Sequence, residues 1–268
     1  MTSAAVPKIS CLTITSNRLV LLKQAIACYC DQTYPNRELI IVTAGAPRYQ
    51  LAVADHLRHL GRDDLHLVCL EQHDFSLGSL RNVSLDHASG DLICQWDDDD
   101  LHHPERLRLQ MEAMSEAGAQ ACYLTDYLQF FSRERTMHWI NWTQLHGAEE
   151  EQQMVPGTML AYRDPRFRYN ESGHDSRTGE DNAFRGLLCA NFKVASLRDC
   201  GYLYVYRFHG RNTTSQYHHE RIRSWGSVES GYLNENREAL CRALPSYPLP
   251  MPYTVKSRSG HDLLTFNG

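Results

Sequence analysis

Apolar and polar positions alternate between two periods along the first 118 residues. KISCLTIT (8–15) is a short β-branched run, and RLVLLKQAIACYC (18–30) carries its apolar residues at helical spacing. The alternation then repeats: ELIIVT (38–43) predicts a strand, YQLAVADHLRHL (49–60) a helix, LHLVCL (65–70) a strand and GSLRNVSLDHA (78–88) a helix. DLICQW (91–96) is a fourth strand, and PERLRLQMEAMSEAG opens with a proline that a first helical turn tolerates. Strand and helix exchanging at this period predict right-handed βαβ units and an α/β fold with a central, mainly parallel sheet flanked by helices. Ligands of such sheets sit beyond the carboxyl ends of the strands.

Beyond residue 119 the pattern becomes irregular and aromatic, through ACYLTDYLQFF, MHWINW and VPGTMLAYRDPRFRYNESG, which predicts a small antiparallel extension. A helix over 179–191 places Ala183, Phe184, Leu187 and Leu188 on one face, and YLYVYRF (202–208) is a further strand. Residues 217–243 read as helical with two glycine interruptions, and PSYPLPMPY, holding four of the ten prolines, reads as an extended tail crossing the surface. The expected organisation is a principal domain over 1–214, with halves at about 1–118 and 119–214. Residues 215–268 form a helix and proline-rich tail packed on it.

Composition narrows the classes. The 268 residues suffice for a substantial core, and 42% hydrophobic with 22% charged residues is ordinary for a soluble globular chain. A net charge of −5 argues against nucleic acid as a partner. No 18 apolar residues run together, and MTSAAVPKIS has neither a basic nor an apolar leader region, so a cytoplasmic protein without a membrane span is expected, peripheral membrane contact staying open. The nine cysteines are odd in number, and Cys11, Cys69 and Cys94 fall inside apolar runs as small hydrophobes. Cys28 and Cys30 lack a second pair at zinc-site spacing. The histidine pairs His102/His103 and His218/His219 read as exposed surface rather than as ligands.

The stretch WDDDDLHHPERL carries the chemistry. Two carboxylates about 6 Å apart repel by roughly 3 kcal/mol at an effective dielectric near 20, so four in a row need a cation or open water. On an extended backbone Asp97 and Asp99 would share a face and clamp a hard divalent ion, with Asp98 and Asp100 turned away. The run closes a buried-looking strand, where a ligand is expected; a solvated acidic turn is the bland alternative.

Other residues add to it. Glu180 and Asp181 open the 179–191 helix, where the dipole favours anions by some 0.3 to 1 kcal/mol; capping explains them, and so does a general base beside a metal. His209 ends the last clear strand before Gly210, and with Asp99 would give mixed nitrogen and oxygen ligands suited to Mn²⁺. FSLGSLRN puts Arg81 one turn into a helix, facing an anion or a base. Trp139, Trp142, Tyr123 and Tyr127 could stack on sugar faces, although aromatics this dense usually build a core.

In this order, SCLTITSNR, SLGSLRNVSLDHASGD, WDDDDLHHPERL, GED and YRFHGRNTT resemble the family 2 glycosyltransferases of the GT-A fold, over roughly residues 8–214. The resemblance implies inverting transfer of a sugar from a nucleotide-diphosphate donor, a UDP-sugar foremost, to a hydroxyl of a carbohydrate or glycolipid acceptor, assisted by Mn²⁺ or Mg²⁺. Carried over by position, Asp97 faces the nucleotide sugar and Asp98 stands with it in the donor site. Asp99 binds the metal, Asp181 or Glu180 is the base, and His209 contacts metal or diphosphate. Thr15 and Arg81 line the nucleotide pocket. One departure stands out: many relatives carry an acidic residue after the second strand that reads uracil, and this chain has VTAGAPR at 42–48. Two other readings compete. A sugar-nucleotide nucleotidyltransferase would want a glycine-rich loop that TITSNRLV lacks, and a non-catalytic sugar- or metal-binding module would use the aspartates only to order a loop.

Overall fold

The structure is a computed structural model that describes residues 6–71, 73–144, 147 and 149–267. Residues 1–5, part of the MTSAAVPKIS stretch read above, lie outside them. The βαβ half runs β1 (Ile9–Thr15), α1 (Leu19–Cys30), β2 (Arg37–Thr43), α2 (Pro47–Leu60), β3 (Leu65–Cys69), α3 (Leu77–His87) and β4 (Leu92–Gln95). A two-residue strand β5 (Leu101–His102), α4 (Arg106–Ala117), β6 (Ala121–Leu124), β7 (Asp126–Phe131), β8 (Thr136–Asn141) and the short α5 (Glu150–Gln153) follow. Then come β9 (Leu160–Tyr162), α6 (Glu180–Asn191), β10 (Val194–Leu197), β11 (Tyr204–Phe208), α7 (Gln216–Gly226), α8 (Ser230–Glu235), α9 (Arg237–Ala243), β12 (Tyr253–Lys256) and β13 (Asp262–Phe266).

Seven strands form the central sheet in the order β10-β6-β9-β4-β1-β2-β3, parallel except for β9. The period-2 pattern of β1 and β2 explains how it is covered. Ile9, Cys11, Leu39 and Ile41 face a core shared with Leu22 and Ile26 of α1, Val53 of α2 and Leu107 of α4. Leu12, Ile40 and Val42 face the opposite core, with Leu85 of α3 and Phe184 and Leu188 of α6. Each such side chain, fully buried, contributes about 1.5–3 kcal/mol. The helices stop where the backbone must turn left-handed, α2 at Gly61 (φ 60°) and α4 at Gly118 (φ 57°).

The antiparallel extension is a second sheet of six strands, β13-β12-β8-β7-β11-β5, with β11 parallel to β7 and β12 parallel to β8. β10 and β13 go beyond the elements predicted from the pattern; both are short edge strands, and apart from Ala195 their residues are only partly buried or exposed. The proline-rich segment is a correction. Tyr247, Leu249 and Tyr253 are buried, and the chain enters β12 rather than crossing the surface. One histidine of each pair is a second correction: His102 and His219 are 1% and 2% exposed, while His218 is exposed as expected.

α3 starts at Ser76, whose Oγ accepts from Ser79 N at 3.1 Å. Two residues on, Gly78 lets the backbone of Asn170 approach so closely that a Cβ would sit 1.8 Å from the Asn170 carbonyl oxygen. The glycine in the first turn of α3 is therefore a packing requirement.

Candidate active site

In the central sheet β1 has β2 and β3 on one side and β4 on the other, so the chain's progress reverses between β1 and β4, where α/β sheets open a ligand crevice. Thr15 ends β1, and the aspartates follow β4. The two ends stay stitched past the strands: Trp96 N donates to Leu12 O at 3.0 Å, and Thr13 Oγ1 to Trp96 O at 2.7 Å.

The four aspartates do not continue as a strand. Asp100 N closes a turn onto Asp97 O at 3.4 Å, and the expected alternation of side chains gives way to a set of individual partners, Arg18 being shared by two of the carboxylates. Asp97 accepts from Arg81 Nη2 at 3.1 Å and from Gln95 Nε2 at 2.8 Å. Asp98 pairs with Arg18 Nη2 at 2.8 Å, and Asp99 with Arg18 Nη1 at 2.6 Å and His209 Nε2 at 3.1 Å. Asp100 takes the Tyr204 hydroxyl and, at 3.0 Å, the Arg207 amide. The pairing of β5 with β11, His102 opposite Tyr204, carries Tyr204, Arg207 and His209 to this turn. Arg207 Nε also donates to the Asp99 carbonyl.

Electrostatics then separates the carboxyls. Burial, then the Asp99 charge, pushes Asp98 up to about 7. Burial, with Asp99 and Asp97, pushes Asp100 well above the carboxylate range. Burial works against Asp99 too, but the His209 hydrogen bond and Arg18 outweigh it and hold its carboxyl low. Asp99 is thus held ionised. Beneath the turn, His102 stacks between Trp96 and Tyr204 at 3.8 and 5.3 Å between ring centres and accepts from Arg106 Nη1 at 2.6 Å. Burial, then Arg106, pushes His102 well below its ordinary range, so it is neutral.

Arg81 ties three elements together. Its Nε donates to Glu180 Oε1 at 3.0 Å, its Nη2 reaches Asp97, and its guanidinium lies 5.7 Å from the centre of the Tyr169 ring. Glu180 is therefore an anchor for Arg81, not a cap: the position before α6 is Gly179 (φ 79°), with no side-chain cap bond. Asp181 differs. Half-buried, it accepts among the described residues only from Asn182, at 2.8 and 3.3 Å, and burial, then the Glu180 charge, pushes its carboxyl up to about 6.

These groups border a cavity of about 660 Å³. Thr15, Arg81, Asp97, Asp98, Asp99, Glu180 and Asp181 all line it, and His209 reaches it through Asp99. The predicted carboxylates, Thr15 and Arg81 are thus brought to one cavity, with His209 bonded to Asp99 from outside its lining. Of the four aromatics considered for sugar stacking, Tyr127 and Trp142 line the cavity, while Trp139 and Tyr123 are core residues, 0% and 1% exposed. Sequence reasoning passed over Arg18, Tyr204, Arg207, Arg185 and His219. Arg18 had a signal, a cation directly after the first strand. The others depend on pairings between strands and helices far apart in the chain.

Among the described residues no group of three or more histidine, cysteine, aspartate or glutamate side chains is arranged to hold a metal. A hard divalent cation that leans on a phosphate ligand needs only one or two protein donors. Asp99 Oδ2 and His209 Nε2, 3.1 Å apart, fit that partial set, with the buried, unpartnered Asp98 Oδ2 beside them.

A crevice at the β1/β4 reversal, an acidic turn and a carboxyl at a helix start, on a parallel sheet extended by a second one, define a glycosyltransferase of the GT-A fold. Residues 10–176 match glycosyl transferase family 2, more than half of the chain, and the chain belongs to that family. The departure from a nucleotidyltransferase or a silent binding module follows from that membership. No curated protein matches the chain in sequence at a significant level. Among solved structures, S. aureus TarS 1–349 superposes with a TM-score of 0.58 at 16% identity, over 75% of this chain and 60% of that one. Its complex with UDP-GlcNAc gives 0.58 at 17%, over 81% and 64%. The mannosyltransferase PcManGT from Pyrobaculum calidifontis, in complex with GDP-Man and Mn²⁺, gives 0.56 at 14%, over 91% and 66%. At these identities the likeness is one of fold, and the chain spans less than two thirds of the first of them.

Proposed function

We propose that the chain transfers a sugar from a nucleoside-diphosphate sugar to a hydroxyl acceptor in one inverting displacement. The observation that carries the reading is the division of the carboxyls within one cavity. Asp99 is held ionised beside His209, while Asp181, with no cation bonded to it, has its carboxyl raised to about 6. A low carboxyl suits a cation, and a raised one suits proton abstraction near neutral pH. The solved relatives of like fold carry UDP-GlcNAc or GDP-Man with Mn²⁺, which supports a nucleotide sugar as donor.

In this reading Thr15 and Arg81 border the nucleotide end, and Arg81 keeps Asp97 and Glu180 in register with each other. Asp99 and His209 would hold a divalent cation, which would supply neutralisation of the charge developing on the leaving diphosphate. Asp181 takes the proton of the acceptor hydroxyl as it attacks the face opposite the leaving diphosphate, which inverts the anomeric centre by the logic of inverting glycosidases. The transferase unit extends past residue 214, because His218, His219 and Ile222 of α7 line the cavity and β12 pairs with β8.

The test is incubation with Mn²⁺ and a panel of UDP- and GDP-sugars, read by mass spectrometry for transfer or hydrolysis of the donor. Asp99→Ala is expected to weaken nucleotide binding and transfer together. Calorimetry showing no Mn²⁺-dependent uptake of any nucleoside diphosphate by the unaltered chain would remove the reading.

A further inference from the structure

Three arginines line the cavity: Arg18, Arg81 and Arg185. Arg18 is clamped between Asp98 and Asp99, and Arg81 between Asp97 and Glu180. Arg185 has no ion pair among the described residues. Its Nη1 donates to the Met154 carbonyl at 2.7 Å, and its Nε is buried without a hydrogen-bond partner. A guanidinium has five N–H donors in a planar fork, and a buried donor left unmade costs about 1–3 kcal/mol. Buried, that Nε faces no open space as the side chain stands; Nη2, which has no hydrogen bond among the described residues, is the donor left for a ligand.

Its position says which ligand. Arg185 follows Asp181 by four residues on α6, so the two side chains share a helix face roughly 5–6 Å apart at Cβ. The aspartate turn with its two paired arginines, Asp181, Arg185 and Met154 all line the cavity, and Arg185 is tied to Met154 rather than to the aspartates. A group lying against Arg185 would therefore belong to the molecule whose hydroxyl faces Asp181. The planar fork matches carboxylate and phosphate oxygens in paired hydrogen bonds, while a neutral hydroxyl would use it poorly. A guanidinium here also offsets the repulsion that an anionic acceptor would otherwise meet from Asp181 and Glu180.

We propose that the acceptor is an anionic glycoside, bearing a carboxylate or phosphate next to the hydroxyl that is glycosylated, and that Arg185 receives that anion. The proposal rests on the transferase reading above and names the class of its acceptor.

The experiment offers the full chain, with Mn²⁺ and pooled UDP- and GDP-sugars, matched sets of methyl hexosides: the neutral glycoside, its uronic acid and its 6-phosphate, in gluco, galacto and manno forms. Products are read by mass spectrometry. An anionic member is expected to exceed its neutral partner in kcat/KM at least tenfold, and whether the uronate or the phosphate leads identifies the anion. Arg185→Gln is expected to collapse that ratio toward one, and Arg185→Lys to keep most of it. Melting curves confirm that both variants are folded, and the ratio is a readout that a purely structural arginine would not move. Equal use of neutral and anionic glycosides, no use of any of them, or an Arg185→Gln enzyme that keeps the full preference overturns the proposal. Calorimetry of the unaltered chain with UDP and GDP separates the two failures. Nucleotide binding without anion preference removes the role of Arg185 alone, whereas no nucleotide binding removes the transferase reading and this inference with it.

Discussion

Asp181→Asn should raise the stability of the fold while removing transfer. Burial and the neighbouring Glu180 charge put the Asp181 carboxyl at about 6, against an ordinary 3.8. Because the folded value is the higher one, the native state binds the proton more tightly than the unfolded chain. Stability from this group is therefore fully present below about pH 4 and is lost as pH rises towards 6. The difference of about 2.2 units corresponds to roughly 3 kcal/mol, and partial exposure of the side chain reduces it to about 1–2 kcal/mol at pH 7. A neutral amide carries no such penalty, so the variant should melt a few degrees higher at pH 7 and match the parent near pH 4. Activity runs the other way. A base with a pKa of about 6 is about 90% ionised at pH 7 and about 10% at pH 5, so kcat in the parent should fall about tenfold over those two units. In the asparagine variant transfer should drop by about 10²–10⁴ while nucleotide binding persists. Paired melting curves and initial rates between pH 4.5 and 8 give both halves. A variant that transfers at the parental rate removes Asp181 from the chemistry, and one that melts lower at pH 7 refutes the electrostatic argument.

Further tests follow from single contacts. Gly78→Ala forces a Cβ to 1.8 Å from a backbone oxygen and should cost on the order of 3 kcal/mol or more, seen as a lowered urea midpoint. Gly157→Ala places its methyl 2.7 Å from the Tyr204 hydroxyl that holds Asp100, so nucleotide affinity measured by calorimetry should fall at least tenfold. His138, buried with both ring nitrogens unpartnered, is pushed down to about 4 by burial and then by Arg223. Its folded value lies below 6.5, so stability is lost as pH falls from 6.5 towards 4, by about 2 kcal/mol between pH 7 and 5. His138→Phe should flatten that slope in urea titrations, and an unchanged slope would point elsewhere. Chelation of divalent cations should abolish Mn²⁺-dependent nucleotide uptake in the parent, with Asp99→Ala insensitive to the chelator.

The parallel sheet and the location of the site were legible in the chain because both rest on local signals. The 2.0 and 3.6 periods report which face is buried, and a charged run after an apolar strand marks a sheet's open end. What could not be read was set by distant pairings. The aspartates were expected to alternate as in a strand, but the β5–β11 pairing brings Tyr204 and Arg207 to bear on Asp100, and the run becomes a turn. His102 looked like surface because its neighbours are polar; its burial comes from stacking on Trp96 and Tyr204. Glu180 looked like a helix cap or a base, and only the fold shows Arg81, 99 positions earlier, waiting for it. The proline-rich segment lacked any period, yet Tyr253 finds a slot against Phe130 and Phe266.

The family match stops at residue 176, while Asp181, Tyr204, Arg207 and His209 all lie beyond it. A clone trimmed to that match would keep the acidic turn with Arg18 and Arg81 but discard Tyr204, Arg207 and His209, which bond Asp100 and Asp99. Its β7 and β8 would also lose their neighbours β11 and β12 and offer bare backbone to other molecules, an invitation to precipitate. Expression work should therefore carry the chain through β12.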